Sequence, residues 1–283
     1  MIWEAPAKVN LSLEIRSPED DGMHPLRSLV QAIEWCDLLE VEEGDEDQLE
    51  IDGADLPDDG ENLVWKAVTA LRRKLGEDRP NLHIKLTKTV AVAAGLGGGS
   101  SDAAAAMLAL AAIRKASVDL VSDAAPTVGA DVPFFLVGGT AWIEGYGERI
   151  TKARIDTESW ALAIAVPDFE LRTADVYQAW DRLEEPVGPA LDGRALPPSL
   201  REHGPLRNDL TPAAMALRPE LGDWIADVGN TWERRVAMSG SGPSLFAFFA
   251  DVDEAESAVK ALSRSVRAGR AARPRRTGAV RVS

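Results

Sequence analysis

Residues 91–106 read Ala-Val-Ala-Ala-Gly-Leu-Gly-Gly-Gly-Ser-Ser-Asp-Ala-Ala-Ala-Ala. Gly95, Gly97, Gly98 and Gly99 bring no side chain that would keep a ligand from the backbone N–H groups. An alanine-rich run with strong helix propensity follows at once and continues through Met107-Leu108-Ala109-Leu110. A helix that starts there offers unpaired N–H donors and the positive end of its dipole. Together these make a phosphate site. The plainer alternative is a tight turn. The loop is not a Walker A sequence, because no Gly-Lys-Ser/Thr closes it. Nor is it a dinucleotide fingerprint: beyond the helix comes Asp123-Ala124-Ala125-Pro126-Thr127-Val128, not a strand ending in a ribose-binding acid.

Transfer of a phosphoryl group to a hydroxyl also needs a nearby cation and a group that takes or orients the hydroxyl proton. Asp131 is the candidate for the second role. It follows Gly129-Ala130, precedes Pro133, and is flanked by Val132, Phe134 and Phe135, which can exclude water. The competing reading is a helix-capping or turn aspartate. Lys8 is the candidate cation, since a lysine within the apolar run Ala7-Lys8-Val9 needs a partner or a polar cleft unless it lies on an exposed face. Asn10, two residues on, shares its strand face. His24 sits in a loop between Met23 and Pro25. A second glycine loop, Ser239-Gly240-Ser241-Gly242, either covers phosphates or substrate or simply turns between two strands.

The elements that must position these residues are legible as an α+β mixture. Strands are expected over Lys8–Ile15, in runs through Leu29–Val41, and over Leu82–Leu86, which feeds the glycine loop. Helical spacing runs from Asn62 to Leu75 through Leu63, Val64, Ala67, Val68 and Leu71, and Gly76 ends it. A further helix is expected to open at Val118, and a strand interrupted by Gly138-Gly139 over Phe134–Ile143. The polar run Lys152–Glu158 suggests a boundary, giving an N-terminal domain over 1–153 and a C-terminal domain over 154–283. In the second part, Trp160–Val166, Val236–Met238 and Ser244–Ala250 read as strands. Thr173–Leu183, Pro212–Leu217, Leu221–Val228 and Glu254–Val266 read as helices, and Leu191–Pro205 as a long loop.

The 283 residues suffice for two domains, and 45% hydrophobic content fits a globular chain. A formal net charge of -15 disfavours nucleic acid and anionic membranes as partners, so a polyanionic substrate must be drawn in by a local positive site. The carboxylates of 40–47 and 52–61 match no calcium loop and read as a solvated surface. The basic stretch Arg264, Arg267, Arg270, Arg273, Arg275 and Arg276 lacks the interleaved aromatics of a nucleic-acid tail. The single cysteine, Cys36, excludes an internal disulfide and reads as a packed thiol in a reducing compartment. No run resembles a signal peptide or is long enough to span a bilayer, so a cytoplasmic protein is expected.

Three segments occur in a fixed order: Pro6-Ala7-Lys8-Val9-Asn10-Leu11-Ser12-Leu13, the Gly95–Ala105 loop, and Ser239-Gly240-Ser241-Gly242-Pro243-Ser244. The trio resembles the motifs of the galactokinase–homoserine kinase–mevalonate kinase–phosphomevalonate kinase (GHMP) superfamily. Gly22-Met23-His24 and Gly129–Phe135 are similar to its branch that acts on a cytidine-diphosphate-bearing sugar alcohol in the non-mevalonate isoprenoid pathway. The resemblance runs from about Ala5 to the C-terminal tail. It implies an N-terminal domain like ribosomal protein S5 domain 2 and a ferredoxin-like C-terminal domain. It implies phosphorylation of the 2-hydroxyl of 4-diphosphocytidyl-2-C-methyl-D-erythritol by ATP with Mg2+, by a monomer or homodimer. Catalysis would rest on an ion pair of Lys8 with Asp131, and Asn10 would contact the acceptor. Met23, His24 and Tyr177 would hold the cytosine, with Met23 standing where the family has tyrosine. Asn62 and Lys88 would lie toward the adenosine. Gly95, Leu96, Gly97, Gly98 and Gly99 would cradle the triphosphate, with Ser100 and Ser101 facing the phosphates or the magnesium. The family usually has proline where this chain has Ala91. Other readings are a GHMP kinase for homoserine or mevalonate, whose substrates lack a base, and a non-catalytic nucleotide-binding regulator.

Overall fold

The computed structural model describes residues 1–19, 22–76 and 80–283. Two long strands organise the first half: β1 (Ile2–Ile15) and β2 (Leu26–Gly44) pair antiparallel from Ile2↔Glu40 to Ile15↔Leu26. Their residues alternate between two apolar environments, so both faces of the sheet must be covered. Val30, Ala32, Leu39 and Val41 face one core, while Leu29, Ile33 and Trp35 face another. Beyond β2 come β3 (Gln48–Asp52), α1 (Leu63–Leu75), β4 (Asn81–Thr87) and α2 (Gly98–Arg114). The chain continues through α3 (Val118–Ala124), α4 (Val132–Val137), β5 (Thr140–Gly145) and β6 (Arg149–Lys152). β3 runs parallel to β4, β4 pairs with the end of β2, and β5 pairs with its beginning.

α1 begins and ends where its sequence signals stand. Asn62 Oδ1 accepts the Val64 N–H at 2.9 Å, and Gly76 closes the helix in the left-handed region at φ 69. α2 is buried almost all round, because alanines 103–106 let it lie close to the sheet and to its neighbouring helices. Phe134–Leu136, expected in a strand, instead belong to α4. Pro133 sits in its first turn, where proline loses no hydrogen bond, and the strand starts only at Thr140.

The second sheet has the order β10–β11–β7–β12, formed by β7 (Ala161–Val166), β10 (Ala237–Met238), β11 (Leu245–Phe249) and β12 (Ala268–Ala272). Around it lie α5 (Thr173–Arg182), α6 (Thr211–Leu217), α7 (Glu220–Trp232) and α8 (Val252–Lys260), and the short pair β8 (Ala190–Leu191) and β9 (Leu206–Arg207). Ala161, Ala163 and Ala165 face these helices, whereas Leu162, Ile164 and Val166 face the first sheet together with Phe246 and Phe248. The layers therefore run helix, sheet, sheet, helix. The expected loop 191–205 contains two 3-10 turns, and α8 stops at Lys260, short of the expected Val266.

A single cut at residue 153 does not describe the chain's end. β13 (Val280–Arg281) returns to the first sheet and pairs with β1. Four arginines of the basic stretch are paired: Arg264 with Asp227 at 2.6 Å, Arg267 with Glu170 at 2.7 Å, Arg275 with Glu4 at 2.6 Å, and Arg276 with Glu158. Arg275 also donates to Cys36 Sγ at 3.2 Å, and burial pushes that thiol up to about 11, as a packed, unreactive cysteine requires. No described helix is long and apolar enough to cross a membrane.

Replacing Asn62 by alanine removes the cap and also the Nδ2 bond to Pro57 O at 2.7 Å. We expect Asn62→Ala to lower the unfolding free energy by about 1 kcal/mol in urea titrations, and Asn62→Asp, which keeps the acceptor, to lose clearly less.

Candidate active site

The glycine loop is held from beneath by a buried ion cluster. Lys88, just after β4, donates from Nζ to Asp37 Oδ2 on β2 at 2.5 Å and to Asp102 Oδ2 on α2 at 2.7 Å. Asp37 Oδ1 also accepts the N–H groups of Thr89 and Val90, at 2.6 and 2.8 Å. One ammonium thus ties the centre of β2, the exit of β4 and the start of α2 together. Burial works against the charge on Lys88, but Asp102 and Asp37 outweigh it and hold its pKa above the ordinary lysine value. Burial pushes Asp102 up to about 7; Lys88 opposes the rise and Asp37 adds to it. Asp102 Oδ1 is buried with no hydrogen-bond partner among the described residues, so it is the oxygen with room for a proton.

Above the cluster, Gly97 lies at φ 72 as the residue before α2. A Cβ there would stand 2.8 Å from Phe135 Cζ and 3.0 Å from Lys8 Cγ, so the loop can press on Lys8 only because Gly97 is glycine. The first backbone bond of α2 runs from Ser101 N–H to Gly97 O at 3.0 Å, which leaves the preceding N–H groups for a ligand. Gly95 touches the second domain: its Cβ would fall 2.3 Å from the Ser239 carbonyl oxygen. Ser239 Oγ donates to Gly95 O at 3.0 Å and accepts the Asn10 N–H at 3.1 Å. The two glycine loops are therefore docked on each other across the domain seam.

Lys8 emerges beside them, 5% exposed, donating to Asn10 Oδ1 at 2.6 Å and lying 3.4 Å from Asp131 Oδ2. Asn10 is fixed in turn, since its Nδ2 donates to Ser28 Oγ and Ser28 Oγ donates to Ser12 O. Asp131 precedes α4 but makes no capping bond, and its carboxylate is 45% exposed. The sequence alternative of a helix-capping aspartate therefore fails, and the carboxylate, beside Lys8, is open to the cavity.

These groups open on one cavity of about 720 Å3 between the domains. Lys8, Asn10 and Asp131 line it, as do Gly95, Gly97, Gly98, Gly99 and Ser100, and from the second domain Tyr177 and Gly240–Gly242. Asn62 and Lys88 line it too, but the oxygen of Asn62 caps α1 and the ammonium of Lys88 faces two carboxylates. Three expectations change. Ser101 is wholly buried with its hydroxyl unpartnered among the described residues, so only Ser100 reaches the cavity. Leu96 turns into the core between the domains and takes part by its carbonyl, which accepts the Lys8 N–H at 2.9 Å. Met23 is half-exposed and does not line the cavity, and His24 lies against Tyr177 with ring centroids 5.4 Å apart. Burial, and then the Asp131 carboxylate, push the Tyr177 phenol well above its ordinary range. Sequence reasoning missed the roles of Asp37 and Asp102. The signal for Asp102 was available, a carboxylate at the head of an alanine helix, whereas Asp37 looked like any strand residue.

A cradle of backbone N–H groups and a paired cation and carboxylate on one cavity can bind a polyphosphate and act on a hydroxyl. Comparison with known proteins points the same way. The family profile "GHMP kinases N terminal domain" matches residues 62–139 and "GHMP kinases C terminal" matches 189–268. The chain is 34% identical to the 4-diphosphocytidyl-2-C-methyl-D-erythritol kinase of Geobacter metallireducens, over 93% of this chain and 94% of that one. It is 36% identical to the protein of the same name from Saccharopolyspora erythraea, over 91% and 86%. A crystal structure of 4-(cytidine 5'-diphospho)-2C-methyl-D-erythritol kinase superposes with a TM-score of 0.79 at 36% identity, covering 96% of this chain and 98% of that one. Homoserine kinase from Cytophaga hutchinsonii shares the fold, with a TM-score of 0.72 at 19% identity, covering 99% and 96%.

The ion cluster makes a pH prediction. Asp102 titrates at about 7 when folded and near 3.8 when not, so between these values the folded state holds a proton that the unfolded state has lost. Its stabilising contribution is complete below about 3.8 and disappears as pH rises through about 7. The Lys88 shift acts only in the alkaline range. We expect the melting temperature to fall by roughly 3 °C between about pH 6 and 8, and Asp102→Asn to flatten that slope. Equal slopes in scanning calorimetry of the two proteins would contradict the assignment.

Proposed function

The chain belongs to the GHMP kinases, and within them to the 4-diphosphocytidyl-2-C-methyl-D-erythritol kinases; from that premise we propose how its own residues phosphorylate the 2-hydroxyl of 4-diphosphocytidyl-2-C-methyl-D-erythritol. It is an ATP-dependent kinase with an alcohol acceptor, in the non-mevalonate route to isoprenoid precursors. The observation that carries the mechanism is that the Lys8–Asp131 pair and the glycine loop line the same cavity.

The triphosphate lies along the loop, with its oxygens on the free N–H groups at the start of α2. The sugar alcohol enters opposite, with its 2-hydroxyl between Lys8 and Asp131. Its oxygen forms a new bond to the γ-phosphorus as the bond from that phosphorus to the bridging oxygen of ADP breaks. The hydroxyl proton passes to the Asp131 carboxylate, and Lys8 offsets negative charge at the attacking oxygen. Asn10 holds Lys8 in line through the 2.6 Å bond and has its amide fixed by Ser28. A magnesium ion bound with the nucleotide would supply neutralisation of the phosphate oxygens. The described residues contain no cluster of three or more acidic, His or Cys ligands. The Ser100 hydroxyl on the cavity wall would help to hold such an ion, which leaves the Asp131 carboxylate for the hydroxyl proton.

The cytidine end fits Tyr177 on the cavity wall, an aromatic face that a kinase for homoserine or mevalonate would not need. A regulator without activity has no use for an exposed Asp131 beside a buried lysine.

We expect Asp131→Asn to keep nucleotide affinity and lose at least about a hundredfold in kcat, because an amide cannot take the proton. A panel of alcohols with and without a cytidine diphosphate group, assayed by ADP release, should show turnover confined to the cytidine substrate. Turnover of homoserine or mevalonate at comparable kcat/KM would overturn the substrate assignment. Gly97→Ala should weaken an ATP analogue by about tenfold or more in calorimetry, since the added methyl meets Phe135 and Lys8 and the backbone must stay at positive φ.

A further inference from the structure

Asn208 stands just past β9, 3% exposed and off the cavity wall, yet both polar atoms of its amide are engaged. Nδ2 donates to the carbonyl oxygens of Met238 and Gly240, each at 2.8 Å, and Oδ1 accepts the Leu210 N–H at 3.0 Å. A flipped amide would set its oxygen against two carbonyls, so these contacts admit one orientation. The backbone here is fixed as well. Asn208 forms a parallel bridge with Leu13 on β1, and the Asp209 N–H donates to Leu13 O at 2.9 Å.

The two carbonyls that Asn208 holds flank Ser239, whose Oγ accepts the Asn10 N–H. Gly240, at φ 57, comes so near to Asn10 that a Cβ would stand 3.2 Å from Asn10 Oδ1. That oxygen is the one that accepts Lys8 Nζ at 2.6 Å. A continuous path thus runs from the Asn208 amide, through the second glycine loop, to Asn10 and Lys8. We propose that Asn208 is a positioning residue for phosphoryl transfer. By clamping the loop from behind, it sets the height at which Gly240 and Ser239 support Asn10, and so the place of the Lys8 ammonium beside Asp131. The inference rests on the reading of Lys8 as the cation at the attacking hydroxyl. The phosphate cradle has its own support in Lys88, so nucleotide affinity should respond far less than turnover.

The test compares the wild type with Asn208→Asp and Asn208→Ala, each alone and combined with Asn10→Ala, and takes Lys8→Ala as its reference. Three quantities are read: kcat with ATP and 4-diphosphocytidyl-2-C-methyl-D-erythritol, the dissociation constant of a non-hydrolysable ATP analogue, and the melting temperature. Asn208→Asp keeps an acceptor for Leu210 and can satisfy at most one of the two carbonyls. At a temperature where the proteins are folded, both changes should lower kcat about ten- to thirtyfold and leave the ATP analogue within about threefold. In the Asn10→Ala background the same changes should cost at most about twofold, because the path to Lys8 is already cut. Unchanged kcat, equal losses in the two backgrounds, a parallel loss of ATP-analogue affinity, or failure of both Asn208 variants to fold would each overturn the inference. Any of the last three would leave Asn208 a role in the fold alone. If Lys8→Ala keeps kcat near the wild-type value, the reading of Lys8 itself fails and the inference falls with it.

Discussion

The Lys88 ammonium, buried between the carboxylates of Asp37 and Asp102, is the contact on which the site depends. Its three members come from a strand, the segment leaving another strand, and a helix. Losing Lys88 would strand two carboxylates without a counter-charge in a dry interior, a far greater cost than losing a surface pair. The cluster therefore gives the chain one affordable arrangement of β2, β4 and α2. That arrangement fixes the glycine loop between them, and the loop in turn sets Gly97 against Lys8. Lys8 and the glycine loop are thus placed relative to each other by the buried cluster on which the loop rests.

The second constraint is the seam between the sheets. Leu162, Ile164, Val166, Phe246 and Phe248 pack on Ala7, Val9, Leu11 and Leu29, so the strand that carries Lys8 is also an interdomain strand. Ser239 links the backbones of Asn10 and Gly95 from the far side. The second glycine loop is consequently not a lid waiting to close. It is already a wall of the cavity, and β13 adds a further tie by returning the chain's end to the first sheet. Binding at this site begins from an assembled cleft, which lowers the ordering cost of each substrate.

What could be read from the sequence was what local chemistry decides. α1 announced both ends, by Asn62 and Gly76, and the glycine loop announced its helix. Phe134–Ile143 misled because a short apolar run has no decisive period, and Pro133 is compatible with a helix start as well as a strand entry. Lys88 and Asp37 are 51 positions apart, so no window of sequence shows that they meet. The same distance problem hid the return of β13 and the pairing of the arginines, which composition alone presented as a basic stretch. For Asn62 and Lys88 resemblance gave the expectation of a place toward the adenosine, and the structure gives them structural duties: a helix cap for Asn62 and, for Lys88, an ion cluster that local spacing could not disclose.

Charge alone cannot explain how such a site holds a triphosphate. The chain carries a net charge of -15, and the cavity is lined by Glu61, Asp102, Asp131 and Glu170 against Lys8, Lys88 and Arg172. Lys88 is spent on its two carboxylates, Lys8 is shared with Asp131, and the Arg172 side chain is 84% exposed. Beside Lys8 and a cation carried in with the nucleotide, the protein offers dipoles: the free N–H groups before Ser101, aimed from a helix whose own axis points its positive end into the cleft. Dipoles act at short range and only where the backbone can come close. That requirement explains why four glycines stand where charged side chains would seem the simpler solution.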